Sequence, residues 1–144
     1  MFFRRGGKQT ENLVKKFLDK SGAEYHEQKR IKEIEEMFGL NLSAISAKNT
    51  STKIFDFVVK TSDTVFGIET NFYSSGGSKL NEVARSYKMI ATEAKDIKGF
   101  KFMWITDGEG WQNAKGNLKE TFDILDNLYN IKDLEDGIFI ELFK

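Results

Sequence analysis

The chain contains no cysteine and no proline, and it has a single histidine, His26. Without cysteine there can be no disulfide and no thiolate metal site, and one imidazole cannot build a zinc centre alone. Without proline, Gly/Ser-rich linkers or internal repeats, nothing marks a boundary inside residues 1–144. One domain, large enough for a real core, is therefore expected. No apolar run approaches the roughly 20 residues of a membrane span, and the N-terminus lacks an apolar signal core. A cytoplasmic protein with no membrane partner is the expectation. Excess charge is also lacking, since 22 basic residues balance 22 acidic ones. That removes a whole-chain basic field but leaves local ones possible. Arg4, Arg5, Lys8, Lys15 and Lys16 crowd the start, and Lys29, Arg30 and Lys32 follow.

Aromatic residues are plentiful, with thirteen Phe, four Tyr and two Trp. Leu13, Val14, Phe17 and Leu18 recur at helical spacing, which predicts a helix over 10–21 with Gly22 as its stop. Residues 23–31 read as a polar, edge-like strand, and 34–45 as a short helix running into a loop. Residues 54–60 and 65–73 are β-branched and aromatic around Thr-Ser-Asp-Thr, the pattern of a hairpin. Ser74-Ser75-Gly76-Gly77-Ser78 breaks the chain before a helix over 79–97. Its apolar side carries Leu80, Val83, Tyr87, Ile90, Ala91 and Ala94. Residues 100–106 form a near-continuous apolar run, as in a buried strand. A helix over 111–121 and short C-terminal elements complete an α/β class, a mixed sheet with a central hairpin flanked by helices.

If Ser62 and Asp63 form the turn, Thr61 pairs with Thr64 and Asp56 falls opposite Glu69. Opposed residues on antiparallel strands have Cβ atoms about 4.5–5.5 Å apart, and like charges there repel. Such a pair calls for a cation. Alternation places Val65, Gly67, Glu69 and Asn71 on one face, with Phe66, Ile68, Thr70 and Phe72 on the other. It likewise groups Ile54, Asp56 and Val58 against Phe55, Phe57 and Val59. Asp56, Glu69 and Asn71 are thus presented together, a donor set suited to Mg²⁺. A register slip of one residue separates the acids instead. Gly76, Gly77 and Ser78 lead into a helix whose free N–H groups suit an anion such as a DNA phosphate, or serve only as turn and cap. Arg85 and Lys88, three apart on that helix, face either DNA or solvent; Lys29 and Arg30 offer further phosphate contacts.

The stretch Phe55-Asp56-Phe57, then Ile68-Glu69-Thr70-Asn71-Phe72-Tyr73-Ser74-Ser75-Gly76-Gly77-Ser78-Lys79-Leu80-Asn81-Glu82 and Ala84-Arg85-Ser86-Tyr87-Lys88, resembles the MboI/DpnII family of type II restriction endonucleases. So do Asn41-Leu42-Ser43-Ala44-Ile45, Phe102-Met103-Trp104-Ile105-Thr106-Asp107-Gly108, Gly110-Trp111 and Glu120-Thr121-Phe122-Asp123-Ile124-Leu125. The resemblance implies a PD-(D/E)XK nuclease core, Mg²⁺ dependence, and hydrolysis of double-stranded DNA at GATC by a metal-activated water. It also implies a homodimer on the palindromic site and a cognate DNA methyltransferase. Asp56 and Glu69 correspond to the metal-binding acids, with Glu11 of the first helix as a further metal-site acid. The usual lysine of the E-x-K element is Asn71 here, an amide that can orient water but carries no charge. Lys79 is the candidate for a displaced cation. Members of the family carry a substantial segment before this region, so 1–144 is expected to be the nuclease domain without it. Two other readings stay open: a GATC-selective module that binds without cutting, and a nuclease of the same core with another target, such as branched DNA.

Overall fold

The computed structural model describes residues 2–45, 53–73, 78–108, 111 and 123–144, with the backbone alone at 2–8, 78 and 79. Helix α1 (Phe2–Ser21) buries Val14 and Leu18 completely and ends at Gly22, whose φ of 74° is left-handed. It starts well before the expected residue 10. The opening residues carry no apolar stripe at helical spacing to read, and glycines such as Gly6 and Gly7 have low helix propensity.

Strand β1 (Glu24–Arg30) is an edge strand, as its polarity predicts. Ile31 does not belong to it; that residue opens α2 (Ile31–Phe38) and is 3% exposed in the core. The Arg30 N–H donates to Glu33 Oε1 at 3.0 Å, and the helix begins three residues before the expected residue 34.

Strands β2 (Ile54–Lys60) and β3 (Val65–Phe72) form the expected hairpin, closed by Thr61 N–H donating to the Thr64 carbonyl at 2.8 Å. Their pairing runs Lys60↔Val65, Val59↔Phe66, Val58↔Gly67 and Phe57↔Ile68, the register read from the turn. Helix α3 (Ser78–Ala94) then carries the chain over to β4 (Phe100–Asp107), parallel to β3. Strand β5 (Leu128–Tyr129) adds in parallel, and α4 (Ile131–Glu135) and α5 (Ile138–Leu142) follow. The sheet order is β1-β2-β3-β4-β5, so the hairpin lies in mid-sheet. The Asp107 carboxylate accepts from the Ile131 N–H at 3.0 Å and ties the end of β4 to the start of α4.

Two cores cover the two faces of this mixed sheet. On one, Ile31 and Ile34 of α2 and Leu80, Ala84, Ile90 and Ala94 of α3 cluster with Phe55, Val58, Phe102 and Trp104. On the other, Val14, Leu18, Leu134, Phe139 and Phe143 cluster with Phe57, Val59, Phe66, Ile68, Met103 and Ile105. Simple alternation put Phe55 and Phe57 on the same face, and the structure corrects this by dividing them between the two cores. The phase of β2 therefore changes at Asp56. Gly67 makes room for the displaced ring: a Cβ there would lie 2.8 Å from Phe100 Cζ and 3.1 Å from Phe55 Cε1.

The helix expected over 111–121 lies outside the described residues apart from Trp111, whose indole N–H donates to Thr106 Oγ1 at 2.8 Å. No helix among the described residues is long and apolar enough to cross a membrane.

Candidate active site at the end of the hairpin

The β2–β3 pairing stops at Phe57↔Ile68, one step short of Asp56 and Glu69. Beyond it the acidic side chains take the place of main-chain acceptors. The Thr70 N–H donates to Asp56 Oδ2 at 2.9 Å, and the Thr70 hydroxyl donates to the same oxygen at 3.2 Å. The Asp56 N–H in turn donates to Glu69 Oε1 at 3.2 Å. Each carboxylate is thus anchored on the other acid's strand, which brings the two together. The change of phase in β2 is what frees these N–H groups from the ladder.

Burial opposes ionisation of Asp56, and the charge of Glu69 adds to it; Thr70 offsets part of the effect and Glu11 contributes a smaller repulsion. The result is a carboxyl pushed up from 3.8 to about 7. An opposite charge already reaches the other acid. Lys53, immediately ahead of β2, places its Nζ 2.5 Å from Glu69 Oε2. Its ammonium also stands 5.3 Å from the Phe55 ring centre and 5.1 Å from that of Tyr87, a cation–π seat on two sides.

Behind Glu69 runs a chain of donors in one direction. Trp104 Nε1–H donates to Asn71 Oδ1 at 2.7 Å, Asn71 Nδ2 lies 3.4 Å from the Tyr87 hydroxyl, and that hydroxyl donates to Glu69 Oε2 at 2.8 Å. Burial, then the Glu69 charge, holds the Tyr87 phenol far above its ordinary pKa, so it remains a donor. Tyr87 also packs edge-on against Trp104, with ring centres 4.9 Å apart at 89°. The two rings fix the amide between them.

Of the residues singled out in the sequence, Asp56, Glu69 and Asn71 therefore meet at one place. Glu11 lies on α1, where Gln28 Nε2 donates to its Oε1 at 2.6 Å. It is near enough to act on the charge of Asp56, yet no group of three or more Asp, Glu or His that could hold a metal forms among the described residues. Gln28 itself has a φ of 53°, a left-handed conformation unusual for a residue with a side chain. Arg85 is exposed and Lys88 half-buried on α3. Ser78 and Lys79 lie in the first turn of that helix, and Gly76 and Gly77 lie outside the described residues.

Three contributors escaped the sequence reading. Lys53 stood outside every motif, at the position immediately ahead of β2. Tyr87 and Trp104 looked like core residues, and their polar tips gave no separate signal.

The donor set fits Mg²⁺. It is made of hard carboxylate oxygens, and Asp56 Oδ1 carries no hydrogen bond among the described residues. Two acids without a third suit an ion that keeps several waters and takes further oxygens from a phosphate.

The family model described as DpnII restriction endonuclease matches residues 4–141. The chain is 54% identical over 142 residues to the type II restriction enzyme DpnII of Streptococcus pneumoniae, covering 96% of this chain and 49% of that protein. It is 38% identical over 134 residues to MboI of Moraxella bovis, covering 93% and 45%, and 34% identical over 146 residues to MjaIII of Methanocaldococcus jannaschii, covering 96% and 49%. The chain spans about half the length of the curated relatives it matches. No solved structure matches it. With a family model matched along almost its whole length and a relative more than half identical, the chain belongs to the DpnII restriction endonuclease family.

Proposed function

We propose that this chain carries the catalytic domain of a Mg²⁺-dependent type II restriction endonuclease, with a PD-(D/E)XK core, that hydrolyses double-stranded DNA at GATC. The observation that carries the reading is the anchoring of Asp56 and Glu69 beside each other where the hairpin ladder opens. Two adjacent carboxylates, with Lys53 on Glu69, form a centre suited to a divalent cation. The GATC target follows from the family resemblance of the motifs around these acids.

Asp56 and Glu69 would hold the ion. When bound, Mg²⁺ polarises phosphoryl oxygens and lowers the pKa of water. The protein's own part is positional. Thr70 fixes Asp56 by one oxygen, and Tyr87 and the Asp56 N–H fix both oxygens of Glu69. In hydrolysis a water oxygen bonds to phosphorus as the bond to the leaving 3′-oxygen breaks; the proton lost by the water passes to solvent, and the 3′-oxygen takes one from solvent. The exposed flank of α3 that carries Arg85 lies beside this centre in sequence and offers a forked donor for DNA. A palindromic target matches a symmetric homodimer with one centre per strand. A companion methyltransferase would protect host DNA.

Plasmid prepared without adenine methylation is the test. With Mg²⁺ the protein is expected to yield a GATC fragment pattern, and an Asp56→Ala variant to yield none. Binding of GATC duplex without cutting under any divalent metal would replace this reading with that of a binding module. Unchanged cutting by Asp56→Ala would overturn the site.

A further inference from the structure

The E-x-K lysine is absent, and the structure bears on what supplies its charge. Asn71, two residues after Glu69, is neutral, and its amide is engaged by the indole of Trp104 at 2.7 Å and lies 3.4 Å from the Tyr87 hydroxyl. It supports the hydroxyl that supports Glu69, and so it belongs to the wall of the site. The ammonium of Lys53, by contrast, sits directly on Glu69 Oε2.

Resting on the function proposed above, we infer that Lys53 is the cation of this centre: it holds Glu69 and bonds a non-bridging oxygen of the phosphate to be cleaved. Three observations converge. First, the side chain of Lys53 is 20% exposed and that of Glu69 only 7%, so Lys53 is the more solvent-accessible partner of the pair. Second, an ammonium has three N–H donors. Glu69 takes one, and the rings of Phe55 and Tyr87 brace its flanks without accepting a conventional hydrogen bond. Donors remain for a phosphate oxygen. Third, a cation fixed in place beside the two acids lowers the repulsion that an approaching phosphodiester strand meets there.

The positive charge has in effect moved from the strand after the second acid to the residue just before the strand of the first acid. Its seat depends on the change of phase at Asp56, which turns Phe55 toward α3 and so creates the aromatic bracket around Nζ. The bland reading of the same geometry is that Lys53 merely neutralises a buried acid.

The two roles separate in an experiment with variants Lys53→Gln, Lys53→Arg, Glu69→Gln and the double variant K53Q/E69Q. Single-turnover cleavage of a GATC duplex in Mg²⁺ is expected to slow about 100-fold or more in Lys53→Gln and to recover in part in Lys53→Arg. Duplex binding in EDTA supplies a readout independent of cleavage. The slope of log K against log salt is expected to lose about one phosphate contact, a change of roughly 0.9, in K53Q/E69Q relative to Glu69→Gln alone. In that pair the acid that Lys53 bonds is gone, so a lysine that only neutralises Glu69 changes nothing, and the double variant removes the ion pair whole rather than one partner of it. Equal slopes, or wild-type cutting by Lys53→Gln, would overturn the assignment. Failure of the wild type to cut any DNA counts instead against the proposed function, since the slope comparison does not depend on cutting.

Discussion

Asp56 is a carboxyl that burial and Glu69 together push up to about 7, and this has a consequence for stability. Folding favours its protonated form. The stabilisation is fully present below the ordinary value of 3.8 and is lost as pH rises through about 7. Asp56→Asn keeps the neutral form at every pH and can still accept from Thr70. It is expected to melt above the wild type at pH 8, by no more than about 4 kcal/mol, with the gap closing toward pH 4. Mg²⁺ should raise the wild-type melting temperature at pH 8 and leave that of Asp56→Asn nearly unchanged; thermal melts across pH check both. At this scale the acids were legible, because a two-residue turn fixes which residues oppose each other. Lys53 was not legible. Its role depends on Tyr87, distant in the chain, arriving over the strand end, and no local pattern encodes that meeting. Asn71 was legible as a departure from E-x-K, but its engagement by Trp104 and Tyr87 depends on a parallel strand pairing that spacing cannot reveal.

At the scale of elements, the hairpin and α3 set the site, and Gly67 is where they depend on a missing side chain. A methyl group there would press on Phe100 at 2.8 Å and Phe55 at 3.1 Å. Gly67→Ala is expected to cost about 1–3 kcal/mol, read as a lower urea midpoint. Because Phe55 braces Lys53, the same variant is expected to cut more slowly than its stability loss explains. The hairpin, the strand at 100–107 and the helix beginning near 78 were all readable from periodicity and turn chemistry. Two features were not. Ile31 looked like the last residue of a strand, yet an apolar residue after a polar run serves equally as the buried first residue of a helix. Phe55 looked to share a face with Phe57, since strict alternation cannot anticipate a change of phase inside a strand.

Across the whole molecule, charges cancel, so under the proposed function affinity for DNA would come from local placement of cations rather than from net charge. The two cores clamp the sheet from both faces, and at the open end of the hairpin the two carboxylates, the Lys53 ammonium and the Tyr87 hydroxyl of α3 meet. The chain spans about half of its relatives' length, and its activity alone is the question on which the account turns. The most direct measurement is single-turnover digestion of an unmethylated GATC duplex in Mg²⁺ by the wild type, Asp56→Asn and Glu69→Gln, each verified to melt cooperatively. The account predicts cutting by the wild type and a loss on the order of 1,000-fold or more in each variant. Cutting by either variant at the wild-type rate would contradict it.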